Sequence, residues 1–235
     1  MTLGNRLQGV FFNPTPTMKA VSERPKWLDA LILVLFATAI FAYIAAPYGA
    51  KDQLKMMKDN VKMKDRLGED GYNEMIASLE KPSPTRSAVM SLVGAPLIQA
   101  VGFLIGAVVM LIIGRLVSTE GAFAPVFAVI VHANFIDKIL GGGVRALLYT
   151  MRKSVMEATT SLALLVPKAE FTSTPYIFLS QVDFFQIWMY GVIGLGLAQV
   201  FKVTPKKGLT VAYSYWAIKS AVFVAFGFLI RSFLG

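Results

Sequence analysis

Apolar residues in this chain gather into long runs rather than short alternations, and a membrane crossing takes about 20 mostly apolar residues. Five such runs stand out, at about 27–47, 89–117, 122–140, 176–201 and 209–234. The first carries no charge from Ala30 to Ala46. Trp27 lies at one end of it and Tyr43 and Tyr48 at the other, where aromatic rings suit the two membrane–water boundaries. Pro47 should end this run, because proline cannot continue the backbone hydrogen-bond ladder. The pattern predicts an all-α, polytopic transmembrane helix bundle of about five spans.

The stretches between the runs have patterns of their own. Residues 1–26 set Leu7, Val10, Phe11, Met18 and Val21 among Arg6, Lys19, Arg24 and Lys26, with Pro14, Pro16 and Pro25 as interruptions. They read as an arm at the membrane interface, apolar side chains toward lipid and cations among headgroups; a partly ordered tail is the other reading. With no long apolar run before Trp27, the arm does not have the form of a cleavable signal peptide, so the first run should stay as an uncleaved anchor. Residues 50–88 turn to mixed charge, with Leu54, Met57, Val61 and Leu67 near helical spacing. This predicts an extramembrane helical loop, broken at Gly68 or Gly71 and again at Pro82 and Pro84, that offers a surface for protein contact. Gly141–Gly143 should end the third run as a flexible helix break, an anion site with Arg145 being the other reading. Residues 144–166 are amphipathic, Arg145, Arg152, Lys153 and Glu157 interrupting a series of leucines. They either lie on the interface or extend the third run as a bent second half.

Composition agrees with lipid as the solvent: 55% of the 235 residues are hydrophobic and 16% charged, against about 45–50% and about 25% in soluble domains. A formal charge of +9 would suggest nucleic acid in a soluble chain. Here the basic residues flank apolar runs, so the partners implied are the bilayer with its anionic lipids and other membrane-protein subunits, and no nucleic acid. A plain count of Lys and Arg favours the side of the 50–88 loop as cytoplasmic. The short, acid-poor segments Arg24–Lys26 and Lys202–Lys207 instead mark the N-terminal side, and on them a cytoplasmic N-terminus is expected. The chain has no cysteine and one histidine, which excludes disulfides, thiolate metal sites and multi-histidine metal sites. It contains no GxSxG, P-loop or HExxH pattern. The chain therefore reads as non-enzymatic, with no catalytic residue, metal or other cofactor.

Ionisable groups inside lipid-length runs cost about 2.5–3.5 kcal/mol each, so they mark candidate functional positions. They are His132, Asp137, Lys138, Asp183 and Lys219, with Asn134 beside them. At 100° per residue, Asn134, Asp137 and Lys138 share a helix face and His132 points away from it. One reading makes these groups a polar path or an interhelical ion pair, such as Asp183 with Lys219. The other places Asp137, Lys138 and Asp183 at helix ends, Asp183 as a helix cap, and lets Lys219 reach outward along its stem. Gly102 and Gly106, a GxxxG pair, and Gly194, Gly196 and Trp188 are candidate helix-packing residues.

Two segments carry a family likeness. The arm Gly9-Val-Phe-Phe-Asn-Pro14, followed by Met18, Val21 and Pro25, resembles the start of the Yip domain, the domain of the Ypt/Rab-interacting membrane proteins and their bacterial relatives. Gln181-Val-Asp183-Phe184-Phe185-Gln-Ile-Trp188, then Gly194-Leu-Gly196 and the Lys202–Gly208 turn, is similar to the family segment that opens the fourth span. The resemblance implies five spans. Eukaryotic members have a long cytosolic N-terminal region, whereas only about 26 residues precede the first span here, so Rab binding is not carried over. The charged 50–88 insert is closer to bacterial members, which are thought of as accessory proteins, some beside ABC-type exporters. The expectation is a multi-pass accessory or scaffold subunit of a bacterial plasma (inner) membrane complex. The alternative is a small transporter or channel lined by the intramembrane polar residues.

Overall fold

The computed structural model describes residues 1–58, 61–167 and 169–234; Asp59 and Asn60 of the charged loop, and Lys168, fall outside it. Its helices are α1 (Leu3–Phe12), α2 (Pro14–Glu23), α3 (Leu28–Lys58), α4 (Val61–Glu80), α5 (Pro84–Arg115), α6 (Phe123–Arg152), α7 (Thr174–Leu179), α8 (Phe184–Val200) and α9 (Pro205–Leu234). By length and apolar character α3, α5, α6 and α9 can each cross a membrane, and α8 is a shorter apolar helix of the same kind. The chain is an all-α membrane bundle of about five apolar helices.

Burial divides these helices into inner and outer. Every residue from Val126 to Asp137 of α6 is buried, and α8 is buried along most of its length. A helix apolar all round belongs inside a bundle, and the first part of α6, from Phe123 to Val131, is such a stretch. Around this pair, α3, α5 and α9 turn large apolar side chains outward, among them Phe36, Ile98, Ile112 and Phe226, as lipid-facing helices do.

Helices α1 and α2 form a hairpin that Thr2 opens, its hydroxyl accepting from the Asn5 amide (3.2 Å). Its apolar residues Val10, Met18 and Val21 are buried in the same core as α6 and α8, with Leu7 and Phe11 packed against it. The apolar face that the sequence assigned to lipid is therefore spent on protein, while Asn5, Gln8, Thr15 and Lys19 face outward. Phe11 meets Trp188 edge-on, ring centroids 5.8 Å apart, and Trp27 meets Phe127 at 5.3 Å. Trp188 lies about 18 Å from the Val200 end of α8 at 1.5 Å per residue, so the hairpin runs along the bundle rather than across its end.

Two expected helix ends are not ends. α3 passes through Pro47 and reaches Lys58, about 46 Å at 1.5 Å per residue and longer than the hydrocarbon core. Proline removes one donor and crowds one carbonyl, a local cost that the apolar turn before it and the polar helix after it outweigh. Likewise Gly141–Gly143 does not stop α6. The segment Phe135–Gly141 takes a wider, π-helical turn and the helix continues to Arg152 as an extension of the third run. In α4 the break falls at Gly68, whose φ of 71° is left-handed. Lys58 bonds Glu80 (2.5 Å), closing the α3–α4 hairpin and holding that carboxyl below its usual range.

The α8–α9 hairpin shows why glycines recur here. A Cβ on Gly194 would sit 2.7 Å from the Leu209 Cα, and one on Gly208 would overlap the Gly194 carbonyl. The two backbones touch, as small residues allow in membrane helices. A Cβ on Gly196 would strike Val129 of α6, and one on Gly106 would stand 3.1 Å from the Tyr215 hydroxyl of α9. Gly102, in contrast, faces open space.

Gly208→Leu and Gly194→Leu should each lower stability by about 1–3 kcal/mol through overpacking, read as the denaturation midpoint in mild detergent. Gly102→Leu should stay within about 0.5 kcal/mol of the wild type. Equal effects at all three positions would show that the crossing is not in close contact.

Candidate functional site

Two buried polar networks join the apolar helices. The larger centres on Arg145, in the second half of α6. Its Nη2 donates to the Asp137 carboxylate (2.8 Å) and to the Asp137 backbone carbonyl (2.6 Å). Its Nη1 donates to the Thr160 hydroxyl (3.3 Å) and lies 3.6 Å from the Asp183 carboxylate. Lys138 Nζ completes the pairing of Asp137 at 2.9 Å. A guanidinium suits this place because its planar fork serves several acceptors at once.

Local structure explains how the groups meet. Asp183 is the N-cap of α8, one oxygen accepting from the Gln186 amide (3.1 Å) and the other from Thr160 (2.5 Å). Thr160 is brought there by a short extended pairing in which Leu162 donates to Val182 (2.9 Å) and Phe184 to Thr160 (3.3 Å). Asp52, near the end of α3, fixes the start of the same connection by accepting from the Val155 and Met156 amides (2.7 and 3.1 Å). The wide turn at Phe135–Gly141 resets the helical phase, so a plain 100° count no longer describes the residues that follow it.

Lys219 is beside this network but not paired with Asp183. Its Nζ donates to the Gln186 side chain (2.5 Å) and stands 5.3 Å from the centre of the Tyr190 ring. The suggested Asp183–Lys219 pair is thus replaced by Asp183–Arg145. The cluster holds three cations, Lys138, Arg145 and Lys219, and two carboxylates, Asp137 and Asp183.

The second network ties the N-terminal hairpin to α6 and α3. Arg6, itself buried, donates to the Lys26 carbonyl (2.6 Å), meets His132 Nε2 at 2.8 Å and pairs with Asp29. Arginine has donors only, so Nε2 must accept. The ring hydrogen is then on Nδ1, which donates to the Ala128 carbonyl (2.7 Å). Asn134 joins neither network: its amide donates to the Ile130 carbonyl of its own helix (2.9 Å). Trp188 packs on Phe11 and Phe184.

Asp137, Lys138 and Asp183 therefore come together, Lys219 borders them, and His132 stands apart. Arg6, Asp29 and Thr160 were not singled out from the sequence, and Arg145 entered only as a base of the 144–166 stretch that follows Gly141–Gly143. Its partnership with Asp137 was not readable, because the wide turn at Phe135–Gly141 lies between them and its amphipathic surroundings assigned it to the interface. Nothing local distinguishes Arg6 from the other bases of the arm.

The family model of the Yip1 domain matches residues 9–227, nearly the whole chain. The chain belongs to the Yip1 domain family. No curated protein and no solved structure matches it. Both segments that resemble the Yip domain, 9–25 and 181–208, are packed in this bundle against α6 or against each other.

Arg145→Met should cost about 3–5 kcal/mol, because two buried carboxylates lose their shared cation. Arg145→Lys should recover only part of that, since an ammonium cannot reproduce the fork. Denaturation midpoints in mild detergent check this, and a fully stable Arg145→Met protein would refute the central role of Arg145. For the second network, Arg6→Ala should free the hairpin and sharply raise proteolytic cleavage within residues 1–26. Unchanged protection would show that Arg6 does not hold it.

Proposed function

We propose that this Yip1 domain protein is a non-catalytic, multi-pass accessory or scaffold protein that helps a larger membrane complex, such as an exporter. The observation that carries this reading is how the intramembrane polar groups are spent. Asp137, Asp183 and Arg145 satisfy one another, Asp183 caps a helix, and Asn134 bonds its own backbone. Such groups hold helices in register, and leave little for a conducting path, which would need them converging on a hydrated cavity at mid-membrane.

The outward faces of α3, α5 and α9 supply apolar surface for neighbouring subunits as well as for lipid. The α3–α4 hairpin supplies an exposed, mixed-charge contact surface. The location proposed is a bacterial plasma membrane with the N-terminus in the cytoplasm, supported by the acid-poor basic segments 24–26 and 202–207.

Purification of the full chain from its native membrane in mild detergent, followed by mass spectrometry, tests the proposal. A partner at fixed ratio is expected, and substitutions of Phe226 and Ile112 to Arg, on exposed outer faces, should reduce its recovery at least several-fold. Asp183→Ala and Lys219→Ala should alter folding or assembly. Normal assembly of these variants together with lost solute flux in proteoliposomes would overturn the scaffold reading in favour of a transporter.

A further inference from the structure

A small cavity of about 180 Å³ opens between α3, α5 and α6. Its walls include Thr38 and Phe41 of α3, Gln99 of α5, and Lys138, Arg145 and Tyr149 of α6. The lining holds two cations, an amide and a phenol, and no carboxylate; Asp137, which pairs with both cations, is buried behind it. Its volume is about that of six water molecules, too small for a large organic ligand and sufficient for a tetrahedral oxyanion.

Spare donors face this space. An ammonium carries three N–H groups, and among the described residues Lys138 gives only one contact, to Asp137. The Tyr149 hydroxyl and the Gln99 amide have no hydrogen-bond partner among the described residues. The surrounding network also carries one cation more than it has carboxylates, so a bound monoanion would bring it to neutrality. The helices that frame the cavity carry exposed apolar side chains close in sequence to its lining residues, Ile98 and Val101 on α5 and Leu140 and Val144 on α6. Depth agrees as well, because Arg145 pairs with Asp183, the cap that begins α8, placing the cluster near one end of the bundle and within reach of headgroups.

We infer that this cavity binds the phosphate of an anionic phospholipid, with Lys138 and Arg145 as the cationic contacts, Tyr149 and Gln99 as neutral donors, and the acyl chains against α5 and α6. The site is independent of the accessory-protein reading and stands or falls without it.

The test uses the purified full chain in mild detergent, titrated with phosphatidylglycerol or phosphatidylcholine and read by native mass spectrometry. Phosphatidylglycerol should be retained in preference to phosphatidylcholine, and Lys138→Gln should weaken it about tenfold, the size of one charge-assisted contact. Lys206→Gln, at the exposed start of α9, should leave retention unchanged. Inorganic phosphate at equal concentration should not displace the lipid; displacement would mark a small-anion site and overturn the lipid assignment. Undiminished retention by a folded Lys138→Gln protein overturns the site altogether. Should Lys138→Gln not fold, Gln99→Leu and Tyr149→Phe replace it, each expected to weaken retention several-fold, and no change in either would equally overturn the site.

Discussion

The constraint on which the bundle depends is the presence of Asp137 inside its most buried helix. Every residue from Val126 to Asp137 lies out of reach of solvent, and a carboxylate there is tolerable only when it is both paired and hydrogen-bonded. Arg145 and Lys138 meet that condition from the same helix, and Arg145 extends the solution to the cap of α8 through Asp183 and Thr160. The position of α8 against α6, the path of the 153–183 connection and the level at which Lys219 finds Gln186 follow from where that guanidinium sits. Packing between apolar helices has little directionality of its own in lipid, because the acyl chains are as apolar as the side chains. Polar pairs and glycine contacts are what distinguish one arrangement from its neighbours.

The glycine contacts supply the second part of that specification. At Gly194 and Gly208 two backbones meet without a side chain between them, and Gly196 admits Val129. The outer face of α9 has no comparable requirement, and its residues are large, apolar and exposed. Specificity is thus concentrated on the inner helices, with the outer faces left to solvation by lipid or by other proteins.

How much of this could be read from the sequence depends on the range of the interaction. The apolar runs marked the long helices because hydropathy is a local sum, which no tertiary contact needs to rescue; only the run 176–201 is split, into α7 and a shorter α8 that begins after Asp183. Pro47 and Gly141–Gly143 misled because local stop signals are weak costs, and a helix with favourable turns on both sides runs through them. The π-helical turn at 135–141 has no sequence signature of comparable strength, and it alters which residues share a face, so Asn134 was grouped with Asp137 although it bonds its own backbone. One of the two sequence readings makes Asp183 a cap, although the run 176–201 places it inside a span rather than at the start of a helix. Its true partner was not legible, because Asp183 is brought to Arg145 by a connection whose course is set by Asp52 and by the backbone pairing at 160–162 and 182–184. The N-terminal arm was the hardest case: an amphipathic face looks the same whether it meets lipid or protein, and only the docked hairpin decides between them.

That hairpin gives the family resemblance a physical meaning. The segment 9–25 and the segment 181–188 are separated by more than 150 residues of chain, yet Phe11 rests on Trp188, and Arg6 just before the first segment reaches His132 of the helix that both of them cover. Residues that make one joint are constrained together, because changing either side leaves a void or an unpaired buried donor in the other. None of the joint's members is arranged to activate a substrate: the aromatic pair packs, the arginine is fully occupied by carbonyl, imidazole and carboxylate acceptors, and the histidine accepts from a permanent cation. In this chain the two segments that carry the family likeness therefore do a structural job together: they close the membrane bundle with its N-terminal hairpin.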